Sequence, residues 1–155
     1  MLTRRQGLTA VAVLGPIGFL AACSSSGDPE PPASSSLPAT VATAVAAQEQ
    51  QLVALYAAVI AAYPDLAEPL QEISAQHAAH AATLDPDSTP ASPSTVELPE
   101  TAAEAVVALA SAERRAMRQR IDACVEATDA GLARTLAFIA ASEGSHVPAL
   151  RDLRT

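Results

Sequence analysis

Two stretches of this chain can be laid on each other, and each sets ionisable groups into the middle of an apolar stripe of helical period. Placing Leu66 on Leu132 also superposes Ala67/Ala133, Leu70/Leu136, Ile73/Ile139, Ala75/Ala141, His80/His146 and Leu84/Leu150. The same register sets His77 against Glu143, and upstream Glu49 and Glu113 hold comparable places in the preceding helix of each copy. The chain therefore reads as two helical hairpins. A carboxylate facing a dry core is costly unless it is paired, hydrogen-bonded or metal-bound, so these positions require a compensating partner.

The rest of the pattern agrees with that architecture. Val45, Glu49, Leu52, Tyr56, Val59 and Tyr63 recur at three- and four-residue steps, which predicts a first helix that Pro64 ends. Asp65 and Glu68 are spaced as a capping box for a second helix with the stripe Leu66, Leu70, Ile73, His77, His80 and Leu84. Pro69 falls near its permissible first turn and predicts an irregular opening. Asp85 to Pro99 is a Pro-rich crossover long enough to join two hairpins in either orientation. Thr101 and Glu104 open a third helix with Val106, Leu109, Glu113, Met117, Ile121 and Cys124 on one side. Beyond a break near Asp129, a fourth carries Leu132, Leu136, Ile139, Glu143, His146, Leu150 and Leu153, with Pro148 disturbing its last turns. Strand signals are absent, and with so few aromatics the core is expected to consist of Ala, Leu, Val and Ile.

The first 22 residues have the anatomy of an export signal: Arg4 and Arg5, an apolar run from Leu8 to Leu20, and small residues before Cys23. Leu20-Ala21-Ala22-Cys23 resembles the lipobox of bacterial lipoproteins, which implies that Cys23 becomes an acylated (palmitate-type) first residue. The alternative is an ordinary secretory signal with an incidental cysteine. Thr3 to Leu8 also resembles a twin-arginine motif, so either export route is open. Residues 23–37 are rich in Ser, Pro and acid and read as a flexible tether, leaving 38–155 as the folded domain. Removing the signal leaves seven basic residues against seventeen acids, a charge of -10, which argues against nucleic acid or anionic lipid as partner. The expected location is the extracytoplasmic face of the cell membrane, held by the lipid alone, since no segment of the mature chain is expected to span a bilayer. Cys124 then remains as a single thiol, expected to be buried and inert.

Each of the four stripes has polar groups at its centre: Glu49, then His77 and His80, then Glu113, then Glu143 and His146. Residues three apart on a helix point to the same side, so each pair can serve one centre. Imidazole with carboxylate suits iron, manganese or zinc better than calcium or magnesium. All three histidines of the chain lie in this set.

Ala47-Gln48-Glu49-Gln50, Ala75-Gln76-His77-Ala78-Ala79-His80, Ala112-Glu113-Arg114 and Ile139-Ala140-Ala141-Ser142-Glu143-Gly144-Ser145-His146 together resemble a ferritin-like domain of bacterial exported proteins and lipoproteins, over roughly Thr40 to Leu153. The resemblance implies an all-α, antiparallel four-helix bundle of two hairpins joined by a long crossover. It matches Glu49 and Glu113 to the single-carboxylate positions of a di-iron pattern, Glu143 and His146 to one E-x-x-H pair, and His80 to the histidine of the other. His77 stands where that pattern has a glutamate, which puts di-iron oxygen chemistry in doubt and assigns no catalytic residue. Two functions stay open: an envelope protein that binds a transition metal, and a structural or interaction lipoprotein whose Glu/His layer is a metal-free remnant.

Overall fold

Thr101 and Asp129 each open a helix through a side-chain oxygen. Thr101 Oγ1 accepts the Glu104 N–H at 3.3 Å and donates to the Glu104 carboxylate at 2.9 Å, while Asp129 accepts the Leu132 N–H at 2.7 Å. The structure is a computed structural model that describes residues 39–91 and 97–153. The expected export signal, the lipidated Cys23 and the tether lie outside the described residues, as do residues 92–96 of the crossover.

Four helices pack together: α1 (Ala39–Ala62), α2 (Ala67–Leu84), α3 (Ala102–Glu126) and α4 (Ala130–Asp152). There is no strand among the described residues. α1 packs most extensively on α2 and α3 on α4, with smaller contacts between α1 and α3 and between α2 and α4. A 3-10 turn, Pro64–Leu66, links the first pair. The expected Asp65/Glu68 capping box does not form, because this extra turn moves the N-cap to Leu66, whose side chain has no oxygen. Pro69 sits in the first turn of α2, where a missing N–H has little consequence. α4 runs through Pro148 to Asp152, so this proline removes one backbone bond without ending the helix.

The core is two apolar clusters with polar side chains between them. One holds Tyr56, Val59, Leu70, Ile73, Ala105, Val106, Leu109, Ala110 and Leu150; the other Ala42, Val45, Ala46, Ala81, Leu84, Leu132, Leu136 and Ile139. Burying a leucine such as Leu70, Leu109 or Leu136 contributes about 1.5–3 kcal/mol. Along α1, α2 and α4 the ionisable residues fall between positions of the two clusters, so apolar packing on both sides holds the layer in place. Small residues allow close helix approach: a Cβ added at Gly144 would lie 3.3 Å from Met117 Sδ of α3.

Two outward features depart from expectation. By length and composition α1 is apolar enough to cross a membrane, with a mean hydropathy of 1.2. Its middle turn, however, is Gln48-Glu49-Gln50-Gln51, and its Ala42, Val45, Glu49, Leu52, Tyr56 and Val59 are buried inside the bundle. On α3 the expected inner residue Ile121 is 46% exposed, and Met117 and Cys124 are half-buried. The inner face instead continues from Glu113 to Ala116 and Arg120. Cys124 donates to the Ala133 carbonyl at 3.2 Å, so it is partly accessible where a fully buried thiol was expected.

Candidate metal centre

Every helix contributes to the polar layer between the two clusters. Glu49, His77, Glu113, Glu143 and His146 are all buried, whereas His80 sits at the margin with its side chain 18% exposed. His77 is the hub. Its Nδ1 lies 2.8 Å from Glu49 Oε2 and its Nε2 2.9 Å from Glu113 Oε1, so one ring joins carboxylates from α1 and α3. His146 places Nδ1 3.2 Å from Glu113 Oε2, with Nε2 3.0 Å from Gln76 Oε1. Gln76 also accepts from Ser142 at 3.1 Å. His80 Nδ1 is 3.5 Å from Glu49 Oε2.

These contacts form two groups of three donors that could each hold a metal ion: Glu49, His77 and His80, and His77, Glu113 and His146. In both, the donor atoms lie within 4.8 Å of one another. The structure thus brings five of the six expected residues into these groups. Glu143 is the exception: buried on α4, it belongs to neither, and its nearest cation is Arg120, with Nε 3.5 Å from Oε1.

Comparison with protein-family models, with curated proteins and with solved structures finds no match. The chemistry of the layer therefore rests on its own geometry.

Two residues that sequence reasoning left out of the site complete it. Arg120, 1% exposed, lays Nη2 and Nε on Glu49 Oε1 at 2.9 and 3.1 Å, and its Nη1 donates to Gln48 Oε1. The Tyr56 hydroxyl donates to Glu113 Oε1 at 2.5 Å. The two are equivalent in the repeat, since each lies seven positions after the single glutamate of its copy and donates to the glutamate of the other copy. That offset was a readable signal. Arg114 is half-buried and donates to Ser111 at 2.9 Å, and Arg115 and Arg118 are exposed.

Protonation follows from these neighbours. Burial pushes Glu49 upward, but the hydrogen bond of His77, the His80 ring close by and the charge of Arg120 outweigh it and hold this carboxyl far below its usual range. The same contest on Glu113, with His146, His77 and Tyr56 as donors, ends at about 2. His77 is opposed by burial yet raised to about 9 by its hydrogen bonds to Glu113 and Glu49, so at neutral pH it is an imidazolium donating from both nitrogens. Burial lifts Glu143 to about 8; Arg120 opposes this, and the charges of Glu49 and Glu113 reinforce it. In this state Glu49 and Glu113 are balanced by Arg120 and His77.

Proposed function

We infer that this chain is a lipid-anchored cell-envelope protein with a ferritin-like, antiparallel four-helix bundle whose core holds a transition-metal ion: iron, manganese or zinc. The observation that carries this reading is His77, a buried imidazole with carboxylate oxygens at both nitrogens. A neutral ring has one N–H and one lone pair, so it meets two such oxygens only by carrying a second proton or by giving its lone pair to a metal ion set between Nε2 and Glu113. An ion held by His77 Nε2, Glu113 and His146 Nδ1 would leave His77 Nδ1–H to donate to Glu49 and His146 Nε2–H to donate to Gln76. A carboxylate or carbonyl on the far nitrogen is the arrangement by which proteins orient a ligating imidazole. His80 Nδ1 and both oxygens of Glu143 are buried without a hydrogen-bond partner, which leaves further ligand capacity in the layer.

The ferritin-like reading draws support from the order of the clusters. α1 and α4 begin in the Leu136 cluster and end toward the Tyr56 cluster, while α2 does the reverse and α3 begins in the Tyr56 cluster. This is what two antiparallel hairpins with a long crossover require. The address rests on the export signal and the likeness of Leu20 to Cys23 to a lipobox. A bound ion would supply a Lewis-acid or one-electron centre, serving storage, sensing or a modest redox role. The chain's own residues would hold it and exclude water.

The test is thermal unfolding of the chelator-treated protein with added Fe(II), Mn(II) or Zn(II). An ion that binds only the native state raises Tm by several degrees at saturating excess; no shift with any of the three rejects the reading. A specific observation favours the second reading, a structural or interaction lipoprotein with a metal-free layer. Arg120 and protonated His77 together already neutralise Glu49 and Glu113. It predicts that Tm ignores all three ions.

A further inference from the structure

The two sides of the buried layer are unequally free to accept an ion. On one side, Arg120 occupies Glu49 Oε1 through two nitrogens at 2.9 and 3.1 Å and approaches Glu143 at 3.5 Å. A guanidinium keeps its charge at any accessible pH. Gln48 holds its third nitrogen, so the cation is fixed in place. On the other side, Glu113 receives only a phenol and two imidazoles, groups that can turn or yield a lone pair.

Building on the metal reading above, we propose that the layer takes one divalent ion and not two. The ion is held by His77 Nε2, Glu113 and His146 Nδ1, and Arg120 is a built-in cation in the place of a second ion. Distances agree, because donors about 2.1 Å from a common ion lie roughly 3–3.5 Å apart. Glu113 already sets Oε1 2.9 Å from His77 Nε2 and Oε2 3.2 Å from His146 Nδ1, so its carboxylate faces both rings with one oxygen each. Charge agrees as well. Three ionised carboxylates, a state that a nearby dication favours, less one guanidinium leave two negative charges, which one divalent ion neutralises. A second ion would leave an uncompensated double positive charge in a poorly screened interior and would face Arg120 directly.

The remaining donors on the Arg120 side are Glu49 Oε2, His80 Nδ1 and Glu143. Glu49 and His80 belong to the other candidate group of donors, and this set is the one that the guanidinium on Glu49 keeps closed, with Glu143 beside it against Arg120. Arg120 also lines a cleft of about 440 Å³ between α1 and α3, together with Gln48, Leu52 and Ala112, so its removal opens this set toward solvent.

The test is equilibrium dialysis of the full chain, stripped by chelator, against saturating Zn²⁺, with metal content read by mass spectrometry and folding by circular dichroism. The wild type and His80→Gln are expected to hold about one zinc per chain, His146→Gln to hold almost none, and Arg120→Gln to rise to about two. Two zinc in the wild type, loss in His80→Gln with retention in His146→Gln, or a folded Arg120→Gln that stays at one would each overturn the proposal. Should Arg120→Gln fail to fold, the wild-type count and the contrast between His80→Gln and His146→Gln still decide it. No zinc in the wild type is a different failure, since it rejects the metal reading itself.

Discussion

Glu49 and Glu113 hold equivalent places in the two halves of the chain, yet one is met by a guanidinium and the other by a phenol. A phenol donates one hydrogen bond and leaves the negative charge of its carboxylate in place. A guanidinium donates several and cancels that charge. The same backbone repeat thus presents one carboxylate whose charge is already spent and one still able to attract a cation. His77 connects the two, and in the absence of an ion its extra proton supplies the missing positive charge. A layer that looks duplicated in sequence is, by charge, one-sided.

The largest test of that asymmetry is Arg120→Leu. It strands Glu49 and Glu143 without their cation and is expected to destabilise the chelated protein by about 3–5 kcal/mol, read by urea unfolding. Tyr56→Phe removes only a neutral donor from Glu113 and should cost about 1–3 kcal/mol in the same assay. Equal losses would mean that the two sides are equivalent after all.

A pH series sharpens the comparison. Glu49 and Glu113 are lowered from 4.5, so they stabilise the fold above that value, and the gain fades on acidification. His77 is raised from 6.5 to about 9, so its stabilisation is complete below 6.5 and disappears as pH climbs through 9. Glu143, raised from 4.5 to about 8, adds a loss in the same alkaline direction. The metal-free protein should therefore have its highest Tm near pH 4.5, a decline above it as Glu143 loses its advantage, and a steeper fall between pH 6.5 and 9 as His77 adds its own. A Tm constant from pH 6.5 to 9 would remove His77 from its cationic role. The smallest effect belongs to Ile121→Gln, within about 0.5 kcal/mol, because this apolar residue lies on the outer side of α3.

That last residue shows where sequence reading stops. The four helices, the breaks at Pro64 and Asp129 and the Thr101 cap were legible because apolar periodicity and capping chemistry are local. So was the convergence of Glu49, His77, Glu113 and His146, since an ionisable residue inside an apolar stripe has few other places to go. Past Glu113, steps of four led to Met117 and Ile121, and the apolar side chains made that track look like the inside. The helix presents Ala116 and Arg120 inward instead, because Glu49 on another helix offers the guanidinium a partner. A buried cation is decided by a contact 71 positions away in sequence, and no local window contains it. The His77 charge was hidden for the same reason: read alone it is a neutral ring, and two carboxylates from α1 and α3 make it an imidazolium. The Leu66 N-cap likewise follows from turn geometry that periodicity does not encode.

The most direct measurement is an anomalous-scattering map from crystals of the protein grown with zinc. One peak between His77, Glu113 and His146, with Arg120 still against Glu49, is the result expected here. A peak between Glu49 and Glu143 with Arg120 displaced, a pair of peaks, or no density above noise in the layer would contradict it.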